Sequence, residues 1–267
     1  MSTIEIRQFP CRSDNYGILI HDRSTGVTAA VDAPDERAIL DELRRTGWAL
    51  THIFTTHYHF DHVAGHEGLK RETNCTIYGP EKEARDIPCI DIPIEEGEKL
   101  TFGSIEVQVL QTPGHTPGPV TYFFPNAVDV SGSGRKSGVA FAGDTLFSVG
   151  CGRVIEGRHA EMWRSLQEII ALPPDTLIYC GHEYTQANIW FALTVEPENA
   201  ALLDRKREVD ALRSKGEPTL PVTLATELET NPFLRAKSPA IRKSLGFGPD
   251  IPDSKVFEEL RRRKDCF

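Results

Sequence analysis

With 267 residues, 39% of them hydrophobic and 26% charged, the chain has the make-up of a folded globular protein large enough to bury a core without disulfide or metal staples. A formal net charge of −9 argues against a nucleic-acid partner, which wants a basic face, and no apolar run approaches the length of a membrane span. Cys11, Cys75, Cys89, Cys151, Cys180 and Cys266 show no C-x-x-C spacing and read as free thiols, mostly small buried hydrophobes, of a reducing compartment. No basic segment followed by an apolar stretch marks a signal peptide, so the expected location is the cytoplasm.

Three short strands open the chain: TIEIRQF (3–9), YGILIHD (16–22) and GVTAAVDAP (26–34), the last two joined by the turn residues Asp22 to Gly26. In DERAILDELRRTG (35–47), Ile39, Leu40 and Leu43 recur at helical spacing and Gly47 supplies the stop. LTHIFTTH (50–57) reads as a buried strand, HVAGHEGLKRET (62–73) as a helix and CTIYGP (75–80) as another strand. KLTFGSIEVQVLQTPGH (99–115) has the pattern of a hairpin, and VTYFFP (120–125) and GVAFAGDTLF (138–147) continue the strands. Between those two, NAVDVSGSGRKSG (126–138) is a polar Gly/Ser stretch expected to be a mobile loop.

RHAEMWRSLQEIIALPP (158–174) is an amphipathic helix with Trp163, Leu166, Ile169 and Ile170 on one face, and TLIYCGH (176–182) is one more strand. Beyond His182 the periods are helical, and EPTLPVTL (217–224) is the sole extended piece. The expected organisation is an α/β catalytic domain over 1–182 and a helical domain over 183–267.

The chemistry concentrates in FTTHYHFDHVAGH (54–66), which holds four of the nine histidines. His57 and His59, two apart at a strand end, point the same way on extended backbone, while Asp61 and His62 fall where the chain turns into the next helix. One stretch can therefore offer two pairs of ligands to two adjacent points. His115 in TPGHTPG, Asp144 in AGDTLF and His182 in YCGHEY each follow a strand, so five histidines and two aspartates are expected to converge on one sheet edge. Three histidines at fixed offsets arise by chance about once in 30³ positions at this histidine frequency. Imidazole and carboxylate ligands suit zinc, and also iron or manganese. The set points to a pair of divalent ions, with Asp144 the natural bridge because a carboxylate has two oxygens. Asp61 and Asp144 are then the candidate catalytic carboxylates. Two such ions bridge a water, lower its pKa and polarise a carbonyl or phosphoryl oxygen, which is hydrolytic chemistry. His21, His52 and His159 read as structural or exposed, and His66 as a supporting or solvated residue.

H-x-H-x-D-H with a downstream His, Asp and His resembles the metallo-β-lactamase superfamily, an αββα sandwich with metals at one edge. SDNYG (13–17), TPGHTPG (112–118), GDTLFSVGCGR (143–153), CGHEYT (180–185), EPTLPVTL, NPFLR (231–235) and RRRKD (261–265) narrow the resemblance to glyoxalase II, the hydroxyacylglutathione hydrolases, whose C-terminal helical region distinguishes them. The resemblance implies His57, His59 and His115 on one metal, Asp61, His62 and His182 on the other, and Asp144 between. It also implies hydrolysis of S-D-lactoylglutathione to D-lactate and glutathione, the second step of methylglyoxal detoxification, by a metal-held hydroxide. Arg153, Tyr184, Arg261 and Lys264 fall at the family's glutathione-binding positions, which gives the terminal basic cluster of an acidic chain a purpose. The expected partner is this small thioester, bound by a monomer without nucleic acid or membrane.

One departure stands out. Many members read K-F-Y-E-G where this chain has RVIEG (153–157), so Ile155 replaces a tyrosine that usually contacts glutathione, and weaker substrate binding is expected rather than a different reaction. The nearest rival is a persulfide dioxygenase, on the same fold but with one iron and oxygen chemistry. A lactonase or β-lactamase leaves the terminal basic cluster unexplained, a nuclease sits badly with the negative charge, and a relic scaffold sits badly with a complete ligand set.

Overall fold

The computed structural model describes residues 4–129 and 136–267. The chain divides into two compact units, one formed by Met1–Gln111 and Pro117–Gly143, the other by Thr112–Thr116 and Asp144–Phe267.

In the first unit β1 (Ile4–Cys11), β2 (Asn15–Asp22), β3 (Val27–Val31), β4 (His52–Phe54), β5 (Thr76–Pro80) and β6 (Ile92–Ile94) form a sheet in chain order. Its first three strands run antiparallel and the rest parallel. Helix α1 (Glu36–Thr46) links β3 to β4; Asp35 caps it by accepting from the Ala38 N–H at 2.8 Å, and Gly47 ends it at φ 74°. Leu19, Ala30 and Ile53 of the sheet pack with Ile39 and Leu43 of α1 and with Leu69 of α3 (His66–Thr73), which follows the one-turn α2 (Phe60–Val63). A second antiparallel set runs β7 (Lys99–Phe102), β8 (Ile105–Gln111), β9 (Val120–Asp129), β10 (Lys136–Phe141). The two sets meet through aromatic rings: Phe54 lies 5.2 Å from Tyr122 and 5.9 Å from Phe102, centroid to centroid.

The second unit holds the short hairpin β11 (Leu146–Phe147) and β12 (Gly150–Cys151), then α4 (His159–Ile170), β13 (Leu177–Tyr179), α5 (Thr185–Val195) and α6 (Ala200–Arg213). It continues with β14 (Val222–Thr223), paired antiparallel with β13, and with α7 (Leu224–Thr230), α8 (Pro239–Leu245) and α9 (Asp253–Asp265). Its core joins Val149 to Ile189, Ala192, Leu202 and Val209, and elsewhere Phe191 stacks on Phe233, which meets Phe257 edge-on. Among the described residues no helix is long and apolar enough to cross a membrane.

Several boundaries differ from expectation. The strand expected over 50–57 stops at Phe54: the Thr55 N–H still bonds Tyr78 O of β5, but the Thr56 N–H bonds the Asp32 carboxylate and the Tyr58 N–H the Glu83 carboxylate instead of a neighbouring strand. The helix expected over 62–73 breaks at Ala64 and Gly65; a Cβ at Gly65 would stand 2.9 Å from Glu36 N, so the chain there touches backbone directly. GVAFAGDTLF is two strands rather than one, and EPTLPVTL contributes only Val222–Thr223 before α7 begins. Asn126–Asp129 and Lys136–Gly138 of the expected loop belong to β9 and β10, while 130–135 lie outside the described residues. In α4 the buried residues are Met162, Ser165, Leu166 and Ile169, and Trp163 is half-buried against Phe257.

Candidate metal ligands and their supports

In the first unit the stretch after β4 brings His57, His59, Asp61 and His62 together. His57 Nε2 lies 3.2 Å from His59 Nδ1, and His62 Nε2 lies 3.7 Å from Asp61 Oδ2. Ligand atoms of His57 are within 4.8 Å of those of both His59 and His62. His57 thus lies beside His59 and Asp61 beside His62, and His57 and His59 stand on irregular backbone instead of the expected strand end.

What orients these rings is Asp32, a residue that sequence reasoning passed over as part of a strand. It follows β3 at φ 57°, and its buried carboxylate accepts from Thr56 N at 2.7 Å, Thr56 Oγ1 at 2.8 Å and His62 Nδ1 at 2.8 Å. Because the Thr56 hydroxyl gives its proton to Asp32, its oxygen accepts from His57 Nδ1 at 3.0 Å. Both rings thus carry their proton on Nδ1 and present the Nε2 lone pair. Asn15 of the SDNYG segment donates to Asp61 Oδ2 at 3.0 Å and to Asp61 O at 3.2 Å, fixing that carboxylate.

His66 is a core residue. It is fully buried, its Nδ1 donates to Pro88 O at 3.1 Å, and burial pushes its pKa down to about 4. His52 sits among Phe54, Tyr78 and Phe102 with its pKa lowered by burial, and His21 stacks on Trp48 at 4.5 Å. His159 lies against Phe257.

In the second unit one oxygen of Asp144, Oδ2, lies 3.6 Å from His115 Nε2 and 3.4 Å from His182 Nε2. His115 Nδ1 donates to Arg153 O at 2.8 Å, so its Nε2 also carries a lone pair. Around a tetrahedral ion with bonds of about 2.0–2.1 Å, neighbouring donor atoms stand roughly 3.3 Å apart. The separations within each unit, 3.2 to 3.7 Å, match that edge, and the donors are imidazole nitrogens and carboxylate oxygens with no thiolate. The residues fit divalent ions.

The expected substrate-binding residues all lie in this unit. Tyr184 caps α5 and stacks flat on the His182 ring at 4.7 Å. Lys264 hydrogen-bonds Ala187 O at 3.1 Å and stands over the Phe191 ring; burial, and then the charges of Arg261 and Arg153, bring its pKa down to about 8. Arg153 is exposed. Arg261 is buried: it donates to Cys151 O at 2.8 Å, pairs with Asp265 at 2.9 Å and stacks on Phe233, so it joins α9 to β12. Ile155 is 59% exposed, an apolar side chain left in solvent.

Residues 25–182 match the metallo-β-lactamase superfamily, and residues 183–267 match the hydroxyacylglutathione hydrolase C-terminus. Proteins named hydroxyacylglutathione hydrolase from Brucella ovis and Brucella abortus are each 51% identical over 264 residues, spanning 99% of this chain and 98% of theirs. In fold the chain is similar to ETHE1 from Myxococcus xanthus (TM-score 0.64, 24% identity, 98% of this chain and 99% of that one). It is likewise similar to the BLEG-1 B3 metallo-β-lactamase (TM-score 0.62, 22% identity, 86% of this chain and 99% of that one).

Proposed function

Because the chain belongs to the hydroxyacylglutathione hydrolases of the metallo-β-lactamase superfamily, we propose that it hydrolyses S-D-lactoylglutathione and related 2-hydroxyacylglutathiones to the free hydroxy acid and glutathione. Its fold is the mixed α/β one of that superfamily with a helical C-terminal region, and its enzyme class is metal-dependent thioester hydrolase. The His/Asp set binds divalent metal ions.

In this reading there are two ions, zinc in the first place. His57, His59 and His115 would hold one and Asp61, His62 and His182 the other, with Asp144 shared between them. Bound there, such ions supply a nucleophile from water at neutral pH and polarise the thioester carbonyl. The chain's own residues do the rest. Asp32 and Thr56 keep the Nε2 lone pairs of His57 and His62 forward, and Arg153 O does so for His115. Arg153 and Lys264 supply cations for the two glutathione carboxylates, Arg261 adds charge while holding β12, and Tyr184 offers its phenol beside His182. A thiolate leaves readily, its thiol having a pKa near ~8.5, so no dedicated general acid is required. Residues 1–182 carry the chemistry and 183–267, together with Arg153, the thiol end of the substrate, in a monomer working in the cytoplasm.

The observation that supports the reading is the commitment of three Nδ1 protons to protein oxygens, which makes Nε2 the ligand atom of each ring. The test is initial-rate hydrolysis of S-D-lactoylglutathione by metal-replete protein, followed by loss of thioester absorbance. Rapid turnover abolished by chelation is expected. No turnover with two metals bound would overturn the proposal, and oxygen uptake with a persulfide would replace it with the dioxygenase reading.

A further inference from the structure

Between Asp144 and Arg153 the chain makes the β11–β12 hairpin, and at its turn Val149 adopts φ 56°. A β-branched residue keeps that conformation only where its surroundings over-determine it. Here side chains of the helical region do so, residue by residue. Asn231 Nδ2 donates to Phe147 O at 3.3 Å and to Gly150 O at 2.9 Å. Asn188 Nδ2 donates to Ser148 O at 3.1 Å, and Arg261 Nη1 to Cys151 O at 2.8 Å.

At the centre is Glu227, fully buried on α7. Its carboxylate accepts from Ser148 Oγ at 2.9 Å, from the N–H of Val149 at 2.8 Å and from Asn231 Nδ2 at 2.9 Å. Burial pushes its pKa up, a cost that an apolar side chain would avoid. The hairpin has no slack to absorb a shift. The Gly152 N–H closes it on Thr145 O at 3.2 Å, and a Cβ at Gly152 would lie 1.9 Å from Asp144 O and 3.3 Å from His115 Nδ1.

We infer that Glu227 is a positioning residue for metal binding: with Asn231 it locks Val149 and its hairpin in the one form that sets the Asp144 carboxylate and, through Arg153 O, the His115 ring. The inference rests on the reading of Asp144 and His115 as ligands. It gives the helical region a second task besides holding glutathione, because a side chain that touches neither substrate nor ion governs the ligands.

Glu227→Gln keeps the shape but replaces one of the two acceptor oxygens shared among the three donors with an NH2. The holoenzyme variant is expected to bind one of its two ions about 10–100-fold more weakly in competition with a chelator, the range for lost support of a ligand. Its kcat falls with that ion while KM stays within about twofold of wild type. Adding Val149→Gly, which removes the β-branched penalty, is expected to restore affinity to within about threefold. Wild-type affinity in Glu227→Gln, or a loss that Val149→Gly leaves uncorrected, overturns the inference. If Glu227→Gln does not fold, Asn231→Ala is measured the same way. Metal count and turnover of the wild-type protein, taken alongside, test the dinuclear reading by themselves, so the two failures are distinguishable.

Discussion

In the first unit the candidate ligands come from the single stretch His57–His62, whereas in the second they come from three loops, at His115, Asp144 and His182. The supports differ accordingly. A contiguous stretch is oriented by three residues of its own unit: Asp32 holds His62 directly and His57 through Thr56, and Asn15 holds Asp61. Scattered ligands need a scaffold, and the second unit builds one from backbone carbonyls, a strained turn and polar side chains on several helices. The first set is therefore robust to change beyond its immediate neighbours, and the second is exposed to changes far along the chain.

Gly152→Ala and Asp32→Asn break the comparison from either side. At Gly152 a Cβ has no room beside Asp144 O, so Asp144 or His115 must move; displacement on the scale of 1 Å costs about 10²-fold in kcat. Asp32→Asn keeps the packing and presents an NH2 to one of its three donors. The expected loss is about 10–100-fold in metal affinity, with activity recoverable at high metal concentration. Kinetics across a metal titration separate the two: added metal rescuing Gly152→Ala as fully as Asp32→Asn would show that the halves fail alike.

The same contrast governs what could be read from the chain beforehand. The His57–His62 spacing is a local pattern and is visible in the letters. Asp32 is not, because its role depends on an αL kink after β3 and on partners 24 and 30 residues away. Thr55 to His57 reads as a strand because β-branched residues favour one, yet the Thr56 N–H bonds the Asp32 carboxylate instead of a neighbouring strand. Glu227 is the hardest case. In TELET, Glu227 and Glu229 look equivalent, but the first is fully buried and the second exposed, and only the fold of the helical region decides which. Short fixed offsets are legible; supports assembled by topology are not.

His66 tests the first unit's core independently of any metal. Its folded pKa of about 4 lies below the ordinary 6.5, so between these values the unfolded chain binds the extra proton. Stability is then unaffected above pH 6.5 and falls as pH drops towards 4, by about 2 kcal/mol at pH 5. Chemical denaturation from pH 7 to 5 is expected to show this slope in the wild type and lose it in His66→Gln. An unchanged slope would place the acid sensitivity elsewhere.

The smallest effects are expected in the second unit, at the residues proposed to bind glutathione. The Lys264 pKa of about 8, depressed from 10.5 by burial first and then by Arg261 and Arg153, means the folded protein gives up that proton before the unfolded chain does. Stability therefore gains from this group as pH rises between 8 and 10.5, while the cation proposed to meet a glutathione carboxylate is lost. KM is expected to rise through pH 8 without a matching fall in kcat, and Lys264→Arg, whose charge persists, to flatten the rise. A KM that climbs equally in Lys264→Arg would assign the titration to another group. Ile155→Tyr sharpens the same point, because restoring one phenol hydrogen bond is worth about 0.5–1.5 kcal/mol and should lower KM roughly two- to tenfold. No change in KM would mean that the exposed apolar side chain at 155 already contributes as much to the substrate as the phenol does.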